Sequence, residues 1–289
     1  MKTLLTFLLL TTLVSAQQDI ETIKKDYDKL IQTTTYGNDA KVGKYCEMRG
    51  FKMYYEVYGT GEPLLLIHGN GGSINNFVKQ IPVLAKNYKV IIADSRAQGK
   101  SIDTRDSLSY EMMADDYAEL LDKIGVPSAN VIGWSDGGIN GLLLAIRHPE
   151  KVKKLMITGA NLEPDTSAVE TDIYESGEQD YKLLKDLKNK TPEQKQEYKL
   201  FHLVVEEPHI SLADLKKIKA PTLVVGGDHD VIRPSHTLTI FQNIENAYLW
   251  ILPNSGHSTL IVYADEFNQK ADEFFKTPYR KIASKDRFF

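Results

Sequence analysis

The sequence predicts an α/β fold in which helices cover both faces of a mostly parallel, eight-stranded sheet. Short apolar runs with strand character alternate along the chain with longer segments of helical periodicity. Two early runs are Pro63–His68 and Lys89–Ala93. Strands separated by helices pair in parallel, and runs without polar alternation indicate burial on both faces. With 289 residues, 42% of them hydrophobic, the chain is long enough for one such domain with a modest insertion.

The N-terminal segment has the three parts of a secretory signal peptide. Lys2 supplies a positive start, Leu4–Val14 is an almost wholly apolar run, and Val14-Ser15-Ala16 forms a small-residue cleavage site. The alternative is a membrane anchor, but the run is shorter than the roughly 20 residues that span a bilayer. We therefore expect residues 1–16 to be removed and the mature protein to be secreted or periplasmic.

A helical leader is predicted for residues 17–40, ahead of a domain that spans residues 41–289. The apolar residues of the leader recur at helical spacing and are Ile20, Ile23, Tyr27, Leu30 and Ile31. The domain begins with a predicted hairpin whose strands are Tyr45–Met48 and Phe51–Tyr58, with a turn at Arg49-Gly50 between them.

Alternating strands and helices are expected in the rest of the domain. The first helix is predicted over about residues 74–86. Later strands are expected at Asn130–Trp134, Val152–Thr158, Thr222–Gly226 and Ala247–Leu252. The helices around them are expected at Tyr110–Ile124, Gly137–Arg147, Ser235–Ile244 and Ile261–Phe275. Residues 161–210 contain no strand-like run and many charged residues and helix formers, which predicts a small helical cap inserted between strands.

Charge and cysteine content exclude several classes of partner. The net charge of -4 and the pI of about 6.0 do not indicate binding to nucleic acid or anionic lipid. No segment after the signal sequence is apolar enough to predict a membrane span. Cys46 is the only cysteine, so no intramolecular disulfide can form. Residues 228–230 resemble a metal site, but no further ligand cluster accompanies them, so we expect no metal and no cofactor.

A nucleophile is predicted at Ser135. Gly133-Trp134-Ser135-Asp136-Gly137 matches the G-x-S-x-G nucleophile elbow and lies between a predicted apolar strand and an apolar helix. In that context the two glycines permit a tight, strained turn that lifts the serine hydroxyl above the sheet edge. The alternative interpretation is a tight turn with a helix-capping serine.

His257 is the predicted base that takes the proton of the serine. It lies in a loop after the last predicted strand, where parallel sheets place catalytic groups. Four other histidines precede the glycine-rich loop, end a helix or lie near the predicted cap: His68, His148, His202 and His209. The acid that orients the base is expected at the end of the strand Pro221–Gly227, where Asp228 and Asp230 are both available.

The oxyanion is expected to be stabilised by backbone N–H groups from two loops. The loop His68–Gly72 follows the first parallel strand, and its small residues let the backbone approach a substrate. We predict donors from Asn70 and from Asp136, the residue after the nucleophile. The alternative function of such a loop is phosphate binding, but the lysine of a P-loop and the G-x-G-x-x-G pattern are both absent.

Four segments together resemble the α/β-hydrolase superfamily, of the AB hydrolase-1 type, over about residues 45–275. Besides the elbow and the HGNGG loop, Asp94–Ser101 is similar to the family segment D-x-R-G-x-G-x-S, and PTLVVGGDHDVI and PNSGH resemble its acid and histidine segments. Ala97 stands where the family has glycine, so we expect that turn to differ locally. The resemblance implies that Asp230 is the acid, and the order serine, acid, histidine is that of this superfamily.

Within the superfamily, residues 133–139 and 159–161 resemble the valacyclovirase (biphenyl hydrolase-like) branch. In that branch the acidic residue after the serine is thought to attract the amino group of amino-acid esters, which implies this role for Asp136. The alternative is a carboxylate that interacts with a helix N-terminus, worth about 0.3–1 kcal/mol. Trp134 and Gly71 are further residues that we expect to contact the substrate.

These observations predict a serine hydrolase that cleaves carboxylic esters or lactones of small molecules through an acyl-enzyme. The resemblance implies a preference for α-amino acyl esters. Carbon–carbon bond hydrolases, peptidases and perhydrolases use the same residues and are alternatives. A ligand-binding protein of low turnover is an alternative from another class, although a complete set of nucleophile, acid and base argues against it. A serine at the elbow argues against dehalogenase or epoxide hydrolase chemistry, which uses aspartate there.

Overall fold

The computed structural model describes residues 19–288 of the chain. The strands in this part are β1 Lys44–Glu47, β2 Lys52–Tyr58, β3 Glu62–Ile67, β4 Tyr88–Ala93, β5 Ala129–Trp134, β6 Val152–Thr158, β7 Thr222–Gly227 and β8 Ala247–Leu252. The α-helices are α1 Ile20–Thr33, α2 Ile81–Leu84, α3 Tyr110–Lys123, α4 Asp136–Arg147, α5 Thr171–Asp186, α6 Pro192–Glu206, α7 Leu212–Leu215, α8 Pro234–Asn243, α9 Thr259–Val262 and α10 Ala264–Lys276. The predicted signal peptide lies outside the described residues, and secretion stays a prediction.

All eight strands form one sheet in the order β1-β2-β4-β3-β5-β6-β7-β8. The pairs β1–β2 and β2–β4 are antiparallel, and every later pair is parallel. The predicted mostly parallel, eight-stranded sheet is therefore confirmed. Because parallel strands end at the same edge, the loops that follow β3, β5, β7 and β8 all leave the sheet on one side.

Apolar helices cover the sheet on both faces. Leu64 and Leu65 are neighbours in β3 and both are fully buried, but they belong to different apolar clusters. The first cluster contains the buried faces of α3 and α4, and the second contains those of α2 and α10. Successive side chains of a strand point to opposite faces, so an unbroken apolar run is what a central strand between two helical layers requires.

Two predicted helices are interrupted. The helix expected over residues 74–86 is instead a 3₁₀ turn at Ile74–Phe77 followed by the short α2. Pro82 has no N–H to donate and its ring would collide with a carbonyl one turn earlier, so an α-helix can begin near this residue but cannot run through it. The helix expected over Ile261–Phe275 is divided into α9 and α10 at Tyr263, which has φ -111° and ψ 44°. The hydroxyl of Tyr263 donates to the carbonyl of Pro253, 2.9 Å away in the preceding loop.

Helices α5 and α6 occupy most of the segment between residues 161 and 210 and pack against each other. Thr191 starts α6 with a capping box, in which its side chain and that of Gln194 exchange hydrogen bonds with each other's backbone N–H. Lys199 of α6 is buried, and its ammonium donates to the carbonyls of Asp103 and Arg105 at 2.8 and 3.0 Å. This lysine therefore attaches the helical segment to the loop between β4 and α3.

The turn at Ala97 has a left-handed backbone conformation, which glycine adopts more readily than alanine. Ala97 has φ 61°, a left-handed conformation that costs an alanine about 1–2 kcal/mol. Neighbouring Arg96 is fully buried, where it donates to Asp116 at 2.6 Å and to Asp103 at 2.7 Å. These charge-assisted bonds hold the turn in place.

Candidate active site

Ser135 lies on a strained turn between β5 and α4, with φ 56° and ψ -122°. A Cβ atom at Gly133 would lie 2.1 Å from the carbonyl oxygen of Gly137, and one at Gly137 would lie 2.0 Å from that of Ile67. Both glycines of the motif are therefore required by close backbone approach. The N–H of Ser135 donates to Thr158 on the adjacent strand at 2.9 Å, which fixes the turn against the sheet. Strain of this kind is concentrated at functional sites.

The structure brings Ser135, His257 and Asp230 together from three separate loops. His257 Nε2 lies 2.9 Å from Ser135 Oγ, and His257 Nδ1 lies 2.6 Å from Asp230 Oδ1. Asp230 Oδ1 also accepts the N–H of Ile232 at 3.1 Å. The carboxylate side chain is 0% exposed and the imidazole is 23% exposed. With its Nδ1 proton held by the buried carboxylate, the imidazole presents Nε2 as an acceptor to the serine hydroxyl.

The alternative acid and bases are engaged elsewhere. Asp228 is more than one-third exposed, and it accepts from its neighbour His229 at 2.8 Å and from the N–H of Ser255 at 3.0 Å. His68 is fully buried between the carbonyl of Gly69 and the N–H of Ser95, and burial lowers its pKa to about 4. This imidazole is therefore neutral and connects two loops. His148 pairs with Asp115, His202 with Tyr181 and His209 with Glu163.

The loop that contains Asn70 packs directly on the turn at Ser135. A Cβ atom at Gly69 would lie 3.1 Å from that of Ser135. Within residues 19–288, neither the N–H of Asn70 nor that of Asp136 donates to a backbone carbonyl. Neither group is therefore committed to a backbone carbonyl, which is compatible with the expected oxyanion hole.

The carboxylate of Asp136 faces the protein interior. Asp136 is 5% exposed, and Asn70 Nδ2 donates to its Oδ2 at 2.8 Å. Burial raises the pKa of Asp136 to about 6, while hydrogen bonds from Asn70 and Tyr110 partly oppose the shift. The same Asn70 amide donates to the carbonyl of Leu200 in α6 at 3.2 Å. Asn70 therefore joins the turn, the loop and the helical segment above them, a connection that no sequence pattern indicated.

The other two predicted substrate contacts lie at the surface of the site. Trp134 is half-buried, and its indole N–H donates to the carbonyl of His257 at 3.0 Å. This bond supports the histidine loop in addition to any contact with a substrate. Gly71 is exposed and lines a cavity of about 430 Å³ between the Asn70 loop and Leu200 of α6.

Gly159 is a further residue that the geometry of the site requires. It follows β6 with φ +65°, and a Cβ atom there would lie 2.7 Å from His257 Cε1 and 2.8 Å from Nδ1. In the sequence, Gly159 was noted only as part of the resemblance to the biphenyl hydrolase-like branch. Gly159 could have been predicted as a site residue because it lies at the carboxyl end of a predicted parallel strand, where ligands and catalytic groups meet.

Replacing Gly159 by alanine is expected to lower kcat by on the order of 100-fold, because the methyl group displaces the imidazole from both of its partners. Gly125→Ala is the matched control, since Gly125 has φ +71° and no atom within 4 Å of an added Cβ. Both variants bear similar backbone strain, so both should lose stability, whereas only Gly159→Ala should lose turnover. Equal turnover in the two variants, measured well below their unfolding temperatures, would contradict this prediction.

Residues 19–288 contain no group of three or more His, Cys, Asp or Glu side chains placed to hold a metal ion. In the same range, none of the helices combines the length and apolar character needed to cross a bilayer.

Comparison with known proteins shows which hydrolases this chain is similar to. The family described as alpha/beta hydrolase fold matches residues 62–182. Serine hydrolase BPHL of Mus musculus is 28% identical over 259 residues, which cover 84% of this chain and 89% of the relative. The predicted resemblance to the α/β-hydrolase superfamily is therefore confirmed. The predicted similarity to the biphenyl hydrolase-like branch is confirmed as well.

Other similar proteins are hydrolases named for different substrates. The 2-hydroxy-6-oxo-6-phenylhexa-2,4-dienoate hydrolase of Comamonas testosteroni is 27% identical over 280 residues, 84% of this chain and 98% of the relative. A solved meta-cleavage product hydrolase of Pseudomonas fluorescens IP01, a mutant of CumD complexed with acetates, superposes with a TM-score of 0.66. That structure is 26% identical, and the match covers 82% of this chain and 98% of the other. Our chain is therefore similar to hydrolases with more than one kind of substrate.

Proposed function

We propose that the protein hydrolyses carboxylic esters or lactones of small molecules through an acyl-enzyme on Ser135. The observation that carries the proposal is the continuous hydrogen-bond chain from Ser135 Oγ through His257 to the buried Asp230, at 2.9 and 2.6 Å. The backbone N–H groups of Asn70 and Asp136, which donate to no backbone carbonyl within residues 19–288, support the second requirement of acyl transfer, an oxyanion hole. A protein that only binds ligands requires neither feature.

The reaction follows from these positions. Ser135 Oγ attacks the carbonyl carbon while its proton passes to His257 Nε2, and the resulting oxyanion accepts hydrogen bonds from the N–H groups of Asn70 and Asp136. The bond to the alcohol oxygen then breaks, and His257 returns the proton to that oxygen. A water molecule attacks the acyl-enzyme, again giving a proton to His257, and Ser135 recovers it as the carboxylic acid leaves. Asp230 stabilises the imidazolium in both halves without taking the proton.

The test combines turnover with labelling of the nucleophile. The mature protein is assayed on p-nitrophenyl esters with short, long and α-amino acyl groups, and on a γ-lactone. A fluorophosphonate is then added, and the modified residue is located by mass spectrometry. We expect ester turnover and a single adduct on Ser135. Absence of both turnover and the adduct would overturn the proposal.

A carbon–carbon bond hydrolase is the second candidate. It is favoured by similarity to the dienoate hydrolase of Comamonas testosteroni and to the meta-cleavage product hydrolase CumD. The same Ser135, His257 and Asp230 serve either reaction, so the substrate pocket decides between them. Cleavage of a vinylogous diketone, with no turnover of any ester on the panel, would favour the second candidate. Labelling of Ser135 is expected in both cases and does not distinguish them.

A preference for α-amino acyl groups depends on what the carboxylate of Asp136 does. Its burial and its hydrogen bond from Asn70 favour a role in positioning the loop that contains Asn70. We therefore expect Asp136→Asn, which keeps an acceptor and removes the charge, to retain turnover of all esters within about threefold. Asp136→Ala removes the acceptor too, and should lower turnover of α-amino and plain acyl esters alike by roughly tenfold, the order of a lost charge-assisted bond.

The alternative role of Asp136, attraction of the substrate's ammonium group, predicts a different result. If the charge attracts the ammonium group of the substrate, both variants will lose the α-amino acyl esters and retain the plain ones. The ratio of kcat/KM between the two ester classes, measured for wild type, Asp136→Asn and Asp136→Ala, separates the two roles.

A further inference from the structure

Helix α1 packs on segments that follow two of the active-site loops. Ile23 and Tyr27 are its buried residues. They belong to an apolar cluster that also contains Ile74 and Phe77 of the 3₁₀ turn and Leu260 and Ile261 of α9. The 3₁₀ turn comes directly after the loop that contains Asn70, and α9 starts two residues after His257. The helix therefore touches both segments from the outside.

Helix α1 also forms hydrogen bonds with the first of these segments, the 3₁₀ turn. The Tyr27 hydroxyl donates to the carbonyl of Asn76 at 3.0 Å and accepts from the Asn76 amide at 3.4 Å. Asn76 Oδ1 in turn accepts the N–H of Ser73 at 2.7 Å. A Cβ atom at Gly72 would lie only 2.2 Å from the same oxygen, so Asn76 lies tightly against the end of the loop. Tyr27 thus holds the residue that closes the Asn70 loop.

The residues that follow the 3₁₀ turn also form hydrogen bonds with α9. Gln80 Nε2 donates to the carbonyl of Leu260 at 2.6 Å, and Lys79 Nζ donates to that of Ile261 at 3.0 Å. Thr259, the first residue of α9, shares a buried 2.7 Å hydrogen bond with Thr158. Residues that directly follow the 3₁₀ turn are therefore bonded to α9, which begins two residues after His257.

A buried carboxylate anchors the chain that follows α1. Glu56 of β2 is fully buried and accepts the N–H groups of Gly37 and Asp39 at 2.8 and 3.0 Å. The hydroxyls of Tyr54 and Tyr58 donate to the same carboxylate, both at 2.7 Å. The leader is thus fixed at two places, at Tyr27 and at Glu56.

We propose that α1 is a positioning element of the active site, which holds the Asn70 loop and the His257 loop in their relative places. Tyr27 is its positioning residue and does not itself contact substrate. The inference rests on the proposed serine hydrolase function, because only that reaction requires both loops at once. Catalysis is sensitive to such placement, since a shift of about 1 Å can cost on the order of 100-fold in rate.

The test replaces Tyr27 by phenylalanine, which removes the hydroxyl and keeps the ring. Tyr36→Phe is the matched control: Tyr36 lies in the same leader, 5.0 Å from the ring of Tyr58, and its hydroxyl has no hydrogen-bond partner within residues 19–288. We measure kcat and KM on the best ester and the rate of fluorophosphonate labelling of Ser135, all well below the unfolding temperature. Tyr27→Phe is expected to lower kcat and the labelling rate by roughly 3- to 10-fold with KM unchanged, whereas Tyr36→Phe leaves both rates at the wild-type value.

Tyr27→Ala, which also removes the ring, should lower both rates further. If that variant does not fold, Tyr27→Phe still decides the question. A lower unfolding temperature with wild-type kcat and labelling rate in Tyr27→Phe would mean that the helix is only structural, and the proposal would be wrong. Failure of the wild-type protein to label at Ser135 is a different result, which overturns the proposed function itself.

Discussion

Replacing Ser135 by alanine is expected to reduce kcat on the best ester by about 10⁵-fold or more. The variant keeps the oxyanion donors and the substrate pocket but has no atom that can form the acyl-enzyme. Water must then attack the carbonyl directly, helped only by binding and by the two N–H groups. Fluorophosphonate labelling should disappear together with turnover, because both need the same hydroxyl.

The control for this variant is Ser258→Ala, one residue from His257. Ser258 makes no side-chain capping hydrogen bond at the start of α9, so the change should leave kcat within roughly twofold of wild type. Unfolding temperatures of both variants are compared with wild type to exclude a folding defect. Substantial ester turnover in Ser135→Ala would show that the reaction uses another nucleophile.

Asp230→Asn is expected to reduce kcat by on the order of 10⁴-fold while the protein remains folded. An asparagine amide at this position can donate to His257 Nδ1, which moves the imidazole proton to Nε2. That nitrogen can then no longer accept the proton of Ser135, 2.9 Å away. The loss of negative charge adds to the effect, because a fully buried carboxylate stabilises the imidazolium with little screening by water.

Asp228→Asn is the matched control, and it also tests the choice between the two carboxylates in the same loop. Asp228 is solvent-exposed and bonded to His229, so its replacement should change kcat by roughly twofold or less. Measuring kcat, KM and unfolding temperature for both variants identifies the acid. A larger loss in Asp228→Asn than in Asp230→Asn would assign the role to Asp228 and contradict the hydrogen bond described above.

The sheet could be predicted from the sequence because a strand buried on both faces must be an apolar run. Each predicted parallel strand lies within one or two residues of the observed one, as β5 and β8 show. The elbow could be predicted for a similar reason, since two glycines around a serine are needed wherever the backbone approaches as closely as at Gly133 and Gly137. The two wrong helix predictions, at residues 74–86 and 261–275, have local causes. Pro82 indicated the first interruption in the sequence itself.

Contacts between distant segments could not be predicted. The hydrogen bond from Asn70 to Leu200 joins residues 130 positions apart, and it depends on how the helices at residues 171–206 lie over the sheet. Periodicity predicted α1, but its apolar residues do not indicate which part of the domain they cover. The side chain of Asn70 and the hydroxyl of Tyr27 were for this reason absent from the predicted site.

The four hydrogen bonds to Glu56 have a practical consequence for recombinant production. Two of the donors belong to the leader, at Gly37 and Asp39, and two belong to β2 itself. A gene trimmed to the hydrolase domain alone, starting after residue 40, would encode a protein in which this carboxylate loses half of its partners. Each hydrogen bond to a charged group contributes about 1.5–3 kcal/mol, so the loss of two is a large fraction of the stability of many domains. A recombinant protein should therefore begin ahead of Gly37 to keep these bonds, and ahead of Ile20 to keep α1 as well, with any affinity tag placed before that point.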